Sequence, residues 1–341
     1  MFDGKRILIT GGTGSLGQAL TKRLLESDVE SIRILSRNEN KQVQMEEEFA
    51  DSRLRFLIGD IRDLPRLTRA FEDIDIVFHA AALKHVPVIE YNPFEAIKTN
   101  IMGSQNVIDA ALTQNVQIVI CIGTDKAVSP VNTYGATKLL MEKLFVTAMN
   151  YFNPKKYRTK FVALRYGNVL GSSGSVVPKF IEQIIADKKI TITDPNMTRY
   201  SITMNEALDF IMDATQSASG GEIFIPKLLK AYSVEDLKTA LEELLHPVGE
   251  EIISIRQGEK MHEALLNPDE MKYTWEVDNK FVVFDKIISK DEIKNLYPGI
   301  KKINLDHTVS SNFAEKMSIQ EIKEKIIESK ILDQYKKELK K

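Results

Sequence analysis

A hydroxyl, a carboxylate and an amine stand side by side in this chain at Thr124, Asp125 and Lys126. Tyr134 and Lys138 follow, four positions apart, so that they share one face of a helix. An ammonium beside a phenol favours the phenolate, which makes Tyr134 a usable base near neutral pH. These five residues are the candidate catalytic set, and their chemistry is proton transfer.

The elements that position this set are a strand and a helix. The apolar, β-branched run Gln117–Ile122 predicts a buried parallel strand that ends just before the hydroxyl, acid and amine. A turn follows, and the segment 134–145 predicts a helix that begins with the tyrosine. In open α/β sheets, ligands bind at the carboxyl ends of parallel strands, so this strand end is the expected site.

The amino-terminal segment predicts a dinucleotide site. Lys5–Thr10 is a predicted strand, and Gly11, Gly14 and Gly17 after it form a G-x-x-G-x-x-G variant that opens an amphipathic helix. Glycines permit a tight turn and close backbone approach, so that a pyrophosphate meets the helix N-terminus. The position between strand and helix makes the pattern specific.

The loop after the second predicted strand, Ser31–Leu35, indicates which dinucleotide binds. NAD-binding folds usually carry an acidic residue there, but this chain has Ser36 and Arg37, with Asn38 and Lys41 close behind. A hydroxyl and a guanidinium suit a 2′-phosphate, which favours NADP. The alternative is an ordinary basic loop.

Repeated strand–helix units predict an α/β fold with a doubly wound parallel sheet. Further strands are predicted at Leu54–Gly59, Ile74–His79 and Lys160–Tyr166. After Asn168 the composition changes, which predicts a smaller α/β substrate-binding part. We expect residues 1–168 and about 204–226 in the nucleotide-binding domain, and residues 169–203 and about 227–341 in the second domain. The segment 317–341 is expected to be amphipathic helix with a solvated face.

Composition narrows the class of protein. The 341 residues carry a net charge of −2, which gives no general drive toward nucleic acid or an anionic membrane. The single cysteine, Cys121, lies in an apolar strand and suits a reducing cytoplasm. We expect no signal peptide, no membrane span and no metal, since the five histidines lack ligand spacing.

Motifs along nearly the whole chain carry a resemblance to a known family. They are TGGTGSLG at 10–17, SRNENKQ at 36–42, AAALKHVPVIEYNP at 80–93, KTNIMGSQNV at 98–107, TDKAVSPVNTYGATK at 124–138, RYGNVLGSSGSVVP at 165–178, DPNMTRY at 194–200 and RQGEKMHE at 256–263. The chain resembles the C5-inverting UDP-N-acetylglucosamine 4,6-dehydratases of the extended short-chain dehydrogenase/reductase family. The most specific element is Asp125-Lys126, because retaining sugar-nucleotide dehydratases typically carry Asp-Glu there.

The resemblance and the strand ends together imply the binding residues. The cofactor residues are Gly11, Thr13, Gly14, Ser15, Leu16, Gly17, Ser36, Arg37, Asn38, Lys41, Asp60, Ile61, Ala80, Ala81, Ala82, Asn100, Tyr134 and Lys138. The UDP-sugar residues implied by the resemblance are Lys84, Asn168, Val176, Arg199, Arg256 and Glu259. Both arginines suit a diphosphate through forked, charge-assisted bonds, and a surface ion pair is the alternative for each.

Two positions depart from the family pattern. Gly123 stands where related members have Ser, and Ser173 stands where many have Arg. The second departure puts one phosphate or cofactor contact in question. The resemblance also implies a homo-oligomer, either a dimer through a four-helix interface or a hexamer.

The resemblance implies a reaction without net redox change. Tyr134 takes the proton of the sugar 4-OH, Lys126 takes the C5 proton, and protonated Asp125 supplies the departing C6 hydroxyl. The expected product is UDP-2-acetamido-2,6-dideoxy-β-L-arabino-hexos-4-ulose. Lys126 must be neutral to act as a base, and the sequence leaves open which member of the pair holds the proton.

Three alternatives to this function remain. A C4-epimerase uses the same Thr, Tyr and Lys set but needs no acid–base pair for C5 and C6, so Asp125-Lys126 argues against it. A C5-retaining dehydratase differs only at that pair. A redox-sensing NADP-binding module of the same fold has no need of Tyr134 and Lys138.

Overall fold

The computed structural model describes most of the chain. The described residues are 1–153, 155–172, 174–255, 257–284, 289–305 and 307–335.

The strands number fifteen in this described part. They are β1 Arg6–Thr10, β2 Ser31–Ser36, β3 Leu54–Ile58, β4 Ile76–His79, β5 Ile118–Ile122, β6 Lys160–Leu164, β7 Asn168–Val169, β8 Ile190–Ile192, β9 Thr198–Ile202, β10 Glu222–Pro226, β11 Ala231–Ser233, β12 Glu250–Ile252, β13 Thr274–Val277, β14 Lys280–Phe284 and β15 Lys301–Lys302.

The α-helices of the same residues are α1 Ser15–Leu25, α2 Glu39–Phe49, α3 Leu64–Ala70, α4 Val86–Tyr91, α5 Pro93–Ala96, α6 Gly103–Thr113, α7 Thr133–Ala148, α8 Val176–Ile185, α9 Met204–Ser217, α10 Val234–Leu244, α11 Pro268–Met271, α12 Lys290–Leu296 and α13 Ile319–Glu328. A π-helical stretch, Ile97–Met102, joins α5 to α6. Two 3-10 turns lie at Asp125–Ala127 and Ile331–Tyr335.

One large sheet organises the molecule. Its order is β15-β13-β14-β10-β6-β5-β4-β1-β2-β3, and the seven strands from β10 to β3 in that order run parallel. The predicted α/β, doubly wound parallel sheet is confirmed. Side chains alternate between its two covered faces: Ile7 and Ile9 pack in one core cluster and Leu8 in the other. Cys121 is fully buried in β5, as predicted.

The last three strands of this sheet were not predicted. β14 pairs antiparallel with β10, β13 with β14, and β15 with β13. They lie within residues 227–341, which the predicted division places in the second domain, yet they extend the nucleotide-binding sheet. The rest of that division stays a prediction.

A smaller part stands over the carboxyl ends of the sheet. It contains the sheets β11-β9-β7 and β12-β8 and a separate apolar core beneath α8, α10 and α13. The amphipathic helix expected in the segment 317–341 is present as α13, and it has a buried side as well as a solvated one. Ile322, Ile326 and Ile331 are buried in this core, because one stripe of the amphipathic helix packs against α10. Among the described residues, no helix is long and apolar enough to cross a bilayer.

Candidate active site

A cleft of about 1070 Å³ runs along the carboxyl ends of the parallel strands. It contains the point between β1 and β4 where the strand order reverses, the usual ligand position in such sheets. Every predicted cofactor residue except Asn100 lines it. So do Thr124, Lys126, and five of the six predicted substrate residues, namely Lys84, Asn168, Val176, Arg199 and Glu259.

The glycine-rich loop brings backbone to the floor of this cleft. Gly11 has φ +68°, and a Cβ there would lie 2.9 Å from the backbone of Ala81 at the end of β4. Only glycine permits this conformation and this approach. α1 begins immediately beyond, at Ser15 after the cap Gly14, so its unpaired backbone N–H groups face the cleft. The arrangement fits a bound pyrophosphate.

Asn100 supports the cleft from behind. It is fully buried and does not line the cleft surface. Its Oδ1 accepts from the Leu83 backbone N–H at 2.8 Å, and its Nδ2 donates to the Leu83 carbonyl at 3.0 Å and to Thr137 Oγ1 at 3.0 Å. These bonds fix the loop after β4 against α7, and a contact of Asn100 with the cofactor stays a prediction.

The loop after β2 forms one end of the cleft. Ser36 Oγ accepts from Gln42 Nε2 at 3.0 Å. The Arg37 side chain is 56% exposed, with its Nη1 3.8 Å from Asp60 Oδ2. Burial raises the pKa of Asp60, but hydrogen bonds from Arg62 outweigh it, so the pKa is lowered and the carboxylate stays ionised. A cationic, partly solvated edge remains at this end.

The acid–amine pair follows β5 in a 3-10 turn. Asp125 is fully buried, and its Oδ1 accepts from Thr124 Oγ1 and from Lys126 Nζ, each at 2.9 Å. Lys126 Nζ also donates to Asn168 Oδ1 at 2.7 Å. Thr124 and Lys126 line the cleft while the carboxylate lies behind them. Asp125 therefore reaches the cleft through its two neighbours.

Lys126 carries the charge of this pair. Burial lowers its pKa, but the nearby Asp125 and then Glu263 outweigh burial and raise the pKa above its ordinary value. The direction of this shift favours Lys126 as the member of the pair that holds the proton. A proton moving along the 2.9 Å hydrogen bond would exchange these roles.

Tyr134 and Lys138 lie on the first turns of α7, which Asn132 caps by accepting from the Gly135 N–H at 2.8 Å. Both side chains are buried. Lys138 Nζ donates to the Ile122 carbonyl at 2.7 Å and to Met141 Sδ at 3.1 Å. The phenolate favoured by Lys138 stays a prediction, and the groups that shift the pKa of Tyr134 most are others. Burial raises the pKa of Tyr134, and the charge that lowers it most is Lys126.

Three of the predicted substrate residues, Arg199, Lys84 and Arg256, differ in what the structure shows of them. The guanidinium of Arg199 donates to backbone carbonyls, Thr198 at 2.8 Å and Lys260 at 2.9 Å, so it also ties two segments of the second part together. Partial burial and the charge of Lys126 lower the pKa of Lys84. Arg256 lies outside the described residues.

The structure explains one of the two departures from the family pattern, Gly123. A Cβ at Gly123 would lie 2.1 Å from the Leu164 carbonyl oxygen on β6, so any larger residue requires the strands to shift. Glycine there is explained by this crowding. Ser173 lies outside the described residues.

The sequence reasoning missed Glu263. Its side chain is 6% exposed, and its Oε1 is 3.7 Å from Lys126 Nζ. It stands in the RQGEKMHE motif, but nothing in that motif pairs it with a lysine on β5's loop. Tyr166, also missed, is buried and lines the cleft. Within the described ranges, no group of three or more His, Cys, Asp or Glu side chains could hold a metal ion.

The family follows from comparison with known proteins. The model of a family described as "Polysaccharide biosynthesis protein" matches residues 7–285. The chain belongs to this family. A relative from Campylobacter jejuni (serotype O:23/36, strain 81-176), named UDP-N-acetylglucosamine 4,6-dehydratase (inverting), is 48% identical over 86% of each chain. The predicted resemblance is therefore confirmed.

Two further matches cover nearly the whole chain. A Rickettsia felis protein named UDP-glucose 4-epimerase is 39% identical over 100% of this chain and 99% of its own. The crystal structure of Pen from Bacillus thuringiensis is 38% identical, with a TM-score of 0.88 over 97% of this chain and 99% of that one. Relatives of this chain therefore carry both dehydratase and epimerase names. The residues of the site must indicate which of the two reactions this chain supports.

Proposed function

We propose that this protein is a UDP-N-acetylglucosamine 4,6-dehydratase that inverts C5 and uses NADP. The observation that carries the proposal is the Lys126–Asp125 pair, joined at 2.9 Å beside Tyr134 at the end of β5. An acid and a base in hydrogen-bond contact are what elimination across C5 and C6 requires. The name of the 48% identical relative supports the same reaction.

The cofactor fits the residues present. Gly11 leaves space against Ala81 that a Cβ would fill, and the N–H groups of α1 face that space. When bound, NADP supplies hydride acceptance and return. The chain's own part is to bind it through the glycine loop and to order the nicotinamide end with Lys138, which is buried next to the end of β5.

The side chains then divide the proton transfers. Tyr134, which lines the cleft, takes the proton of the sugar 4-OH. Transfer of a proton from Lys126 to Asp125 leaves an amine that takes the C5 proton, made acidic by the neighbouring ketone. Asp125 returns its proton toward the C6 hydroxyl that leaves as water, through Thr124, whose Oγ1 is 2.9 Å from the carboxylate. C5 is reprotonated from the opposite face, and the proton that Tyr134 took from the 4-OH balances this step.

Characterising the product in D₂O tests this function. Mass spectrometry and NMR should show loss of water from C6, deuterium at C5 and coupling constants of the L-arabino sugar early in the reaction. A solely D-xylo ketone would refute inversion and leave dehydration standing. A product that retains its C6 hydroxyl, with only C4 changed, would establish the second candidate.

That second candidate is a UDP-sugar C4-epimerase. The 39% identical relative, matched over the full length, favours it by name. Thr124, Tyr134 and Lys138 alone would serve C4 chemistry. Lys126, directed at a buried carboxylate and Asn168, has no task in an epimerase, and for that reason we place dehydration first.

The preference for NADP rests on Ser36 and Arg37 in the place of the usual carboxylate. Titration of NADP(H) and NAD(H) into cofactor-free protein should show tighter binding of NADP(H), and Arg37→Ala should remove most of the difference. Glu39→Gln, exposed at the first residue of α2 directly after this loop, is the matched control. Equal affinities in the parent protein would contradict the assignment.

We also propose that the protein is a dimer through α6 and α7. Leu140 is 51% exposed on α7, and Met102, just before α6, is 54% exposed. Leu140→Glu should shift the mass measured by light scattering to that of the monomer, whereas Leu296→Glu on α12, 43% exposed, should not.

A further inference from the structure

Glu263 is fixed in a buried position beside the acid–amine pair. Its N–H donates to Ser311 Oγ at 2.9 Å, and its carbonyl accepts from the Ser311 N–H at 2.7 Å. The side chain is 6% exposed. Oε1 lies 3.7 Å from Lys126 Nζ, and Oε2 lies 3.7 Å from Lys260 Nζ. Among the described residues, Oε2 has no hydrogen-bond partner.

A buried carboxylate oxygen without a hydrogen bond destabilises the folded protein, the more so when the carboxylate is charged. Asp125 Oδ2 is left in the same condition, so Lys126 has an under-bonded carboxylate on each side. Glu263 lies between the ammonium groups of Lys126 and Lys260, each 3.7 Å from one of its oxygens. At this distance it can compensate a change of charge on Lys126 without sharing a proton with it.

We propose that Glu263 is a positioning residue for the C5 deprotonation, remaining ionised as the counter-charge of Lys126 while Asp125 is protonated. This inference rests on the proposed dehydratase function. While Asp125 holds the proton for the C6 hydroxyl it is uncharged, so it cannot neutralise the Lys126 ammonium. Glu263, with Lys260 behind it, is placed to do so.

The protons balance in each state. At rest Lys126 is an ammonium, and Asp125 and Glu263 are anions, with a net charge of −1 for the three. Internal transfer gives a neutral amine and a carboxylic acid, with the same net charge. Capture of the C5 proton makes Lys126 an ammonium while Asp125 is still neutral, and Glu263 is then its anion. Donation toward C6 restores the first state.

Other charged or titratable groups face the same cluster. Lys84 and Tyr134 interact with Lys126 from the loop after β4 and from α7, and Tyr232 does so from β11. Lys260 approaches Glu263 from its own segment and donates to the Val128 carbonyl at 2.7 Å. Of these groups, Lys260 lies next to the Glu263 carboxylate. Removing Lys260 should therefore shift the pH dependence of C5 deprotonation in the direction opposite to that caused by removing Glu263.

The test is Glu263→Gln, which keeps the size and removes the charge. Loss of a negative charge lowers the proton affinity of the cluster, so the pH profile of C5–deuterium exchange should move to lower pH. The rate of exchange should fall about 10- to 100-fold, less than the about 10²- to 10⁴-fold expected from losing a general base. The first oxidation, followed by the absorbance of the reduced nicotinamide, should proceed at the parental rate, and KM should change little.

Lys260→Gln provides the second variant, in case Glu263→Gln fails to fold. It removes the cation beside Glu263, so the same pH profile should move to higher pH. Asp269→Asn is the control: this carboxylate is 89% exposed, and the variant should match the parent.

Unchanged pH profiles and exchange rates in both variants would overturn the inference. The parent protein's product distinguishes this result from failure of the proposed function. If the parent forms the 4-keto-6-deoxy sugar and the variants behave like it, only the role of Glu263 is wrong. If the parent forms no such sugar, the function itself is wrong.

Discussion

Two buried clusters near the same edge of the sheet each combine one cation with two carboxylates, and they are built differently. Arg165 at the end of β6 donates to Glu142 from Nε at 3.1 Å and to Glu270 from Nη1 at 3.0 Å, with second bonds from Nη2 to both. Its Nη1 also donates to the Leu265 carbonyl at 2.9 Å. The forked guanidinium satisfies both anions in full.

The cluster at Lys126 is left incomplete. One carboxylate is hydrogen-bonded at 2.9 Å, the other lies at 3.7 Å, and each has an oxygen without a partner among the described residues. A guanidinium does not give up its proton in proteins, whereas an ammonium can. The comparison shows that the first cluster holds segments together and that the second retains protons that can move.

The largest expected effect is on the second cluster. Lys126→Met should lower the rate of dehydration by about 10²- to 10⁴-fold, because it removes the base for C5. Oxidation at C4 should continue, so reduced nicotinamide should accumulate, as followed by its absorbance. Tyr134→Phe, which removes the base for the first step, should prevent that accumulation.

Lys143→Met on α7, a lysine whose charge acts on Glu270 and which does not line the cleft, controls for the loss of a lysine without touching the pair. Dehydrated product released by Lys126→Met at the parental rate would show that Lys126 is not the C5 base.

The next effect concerns the first cluster and stability. Arg165→Met should lower the free energy of unfolding by about 3–5 kcal/mol, because Glu142 and Glu270 would remain buried without their counter-charge. Denaturant unfolding measures it. Adding Glu142→Gln and Glu270→Gln should recover part of the loss by removing the buried charges.

Lys126→Met should cost less stability, because Lys260 remains near the Glu263 carboxylate. An equal loss in both variants would contradict the division between a structural and a reactive cluster.

The residues of the two clusters were not equally predictable from the sequence. Thr124, Asp125, Lys126 and the tyrosine were predictable because they follow one another closely, and a local pattern fixes them on one strand end. Arg165 and Glu270 are 105 positions apart, and Glu263 is equally remote from β5. Such pairings depend on how the second part folds over the sheet, and no short-range periodicity encodes that.

The same reason separates the successes and failures in the fold. The glycine loop and the parallel strands carry local signals, and they were placed within a residue or two. β13, β14 and β15 join the sheet only through long-range antiparallel pairing with β10, so they were missed. The buried stripe of α13 was underestimated because its partner, α10, is also distant in sequence.

The smallest expected effect separates the clusters by pH. Burial raises the pKa of Glu270, but Arg165 outweighs it and lowers the pKa below 4.5 in the folded protein. The stability from Glu270 is therefore fully present above pH 4.5 and lost as the pH falls through the folded value. The pKa of Lys126 is raised above 10.5, so the stability from Lys126 is present below pH 10.5 and lost as the pH rises.

Each group contributes at most about 1.4 kcal/mol per pH unit to the slope of unfolding free energy against pH. Glu270→Gln should flatten the acid side of that curve and leave the alkaline side unchanged, and Lys126→Met should do the reverse. Asp269→Asn, with an 89% exposed carboxylate on the same helix as Glu270, should alter neither side. If Lys126→Met flattens the acid side of the curve instead, the proton of the pair rests on Asp125. The reactive cluster would then begin its cycle as a neutral amine beside a carboxylic acid.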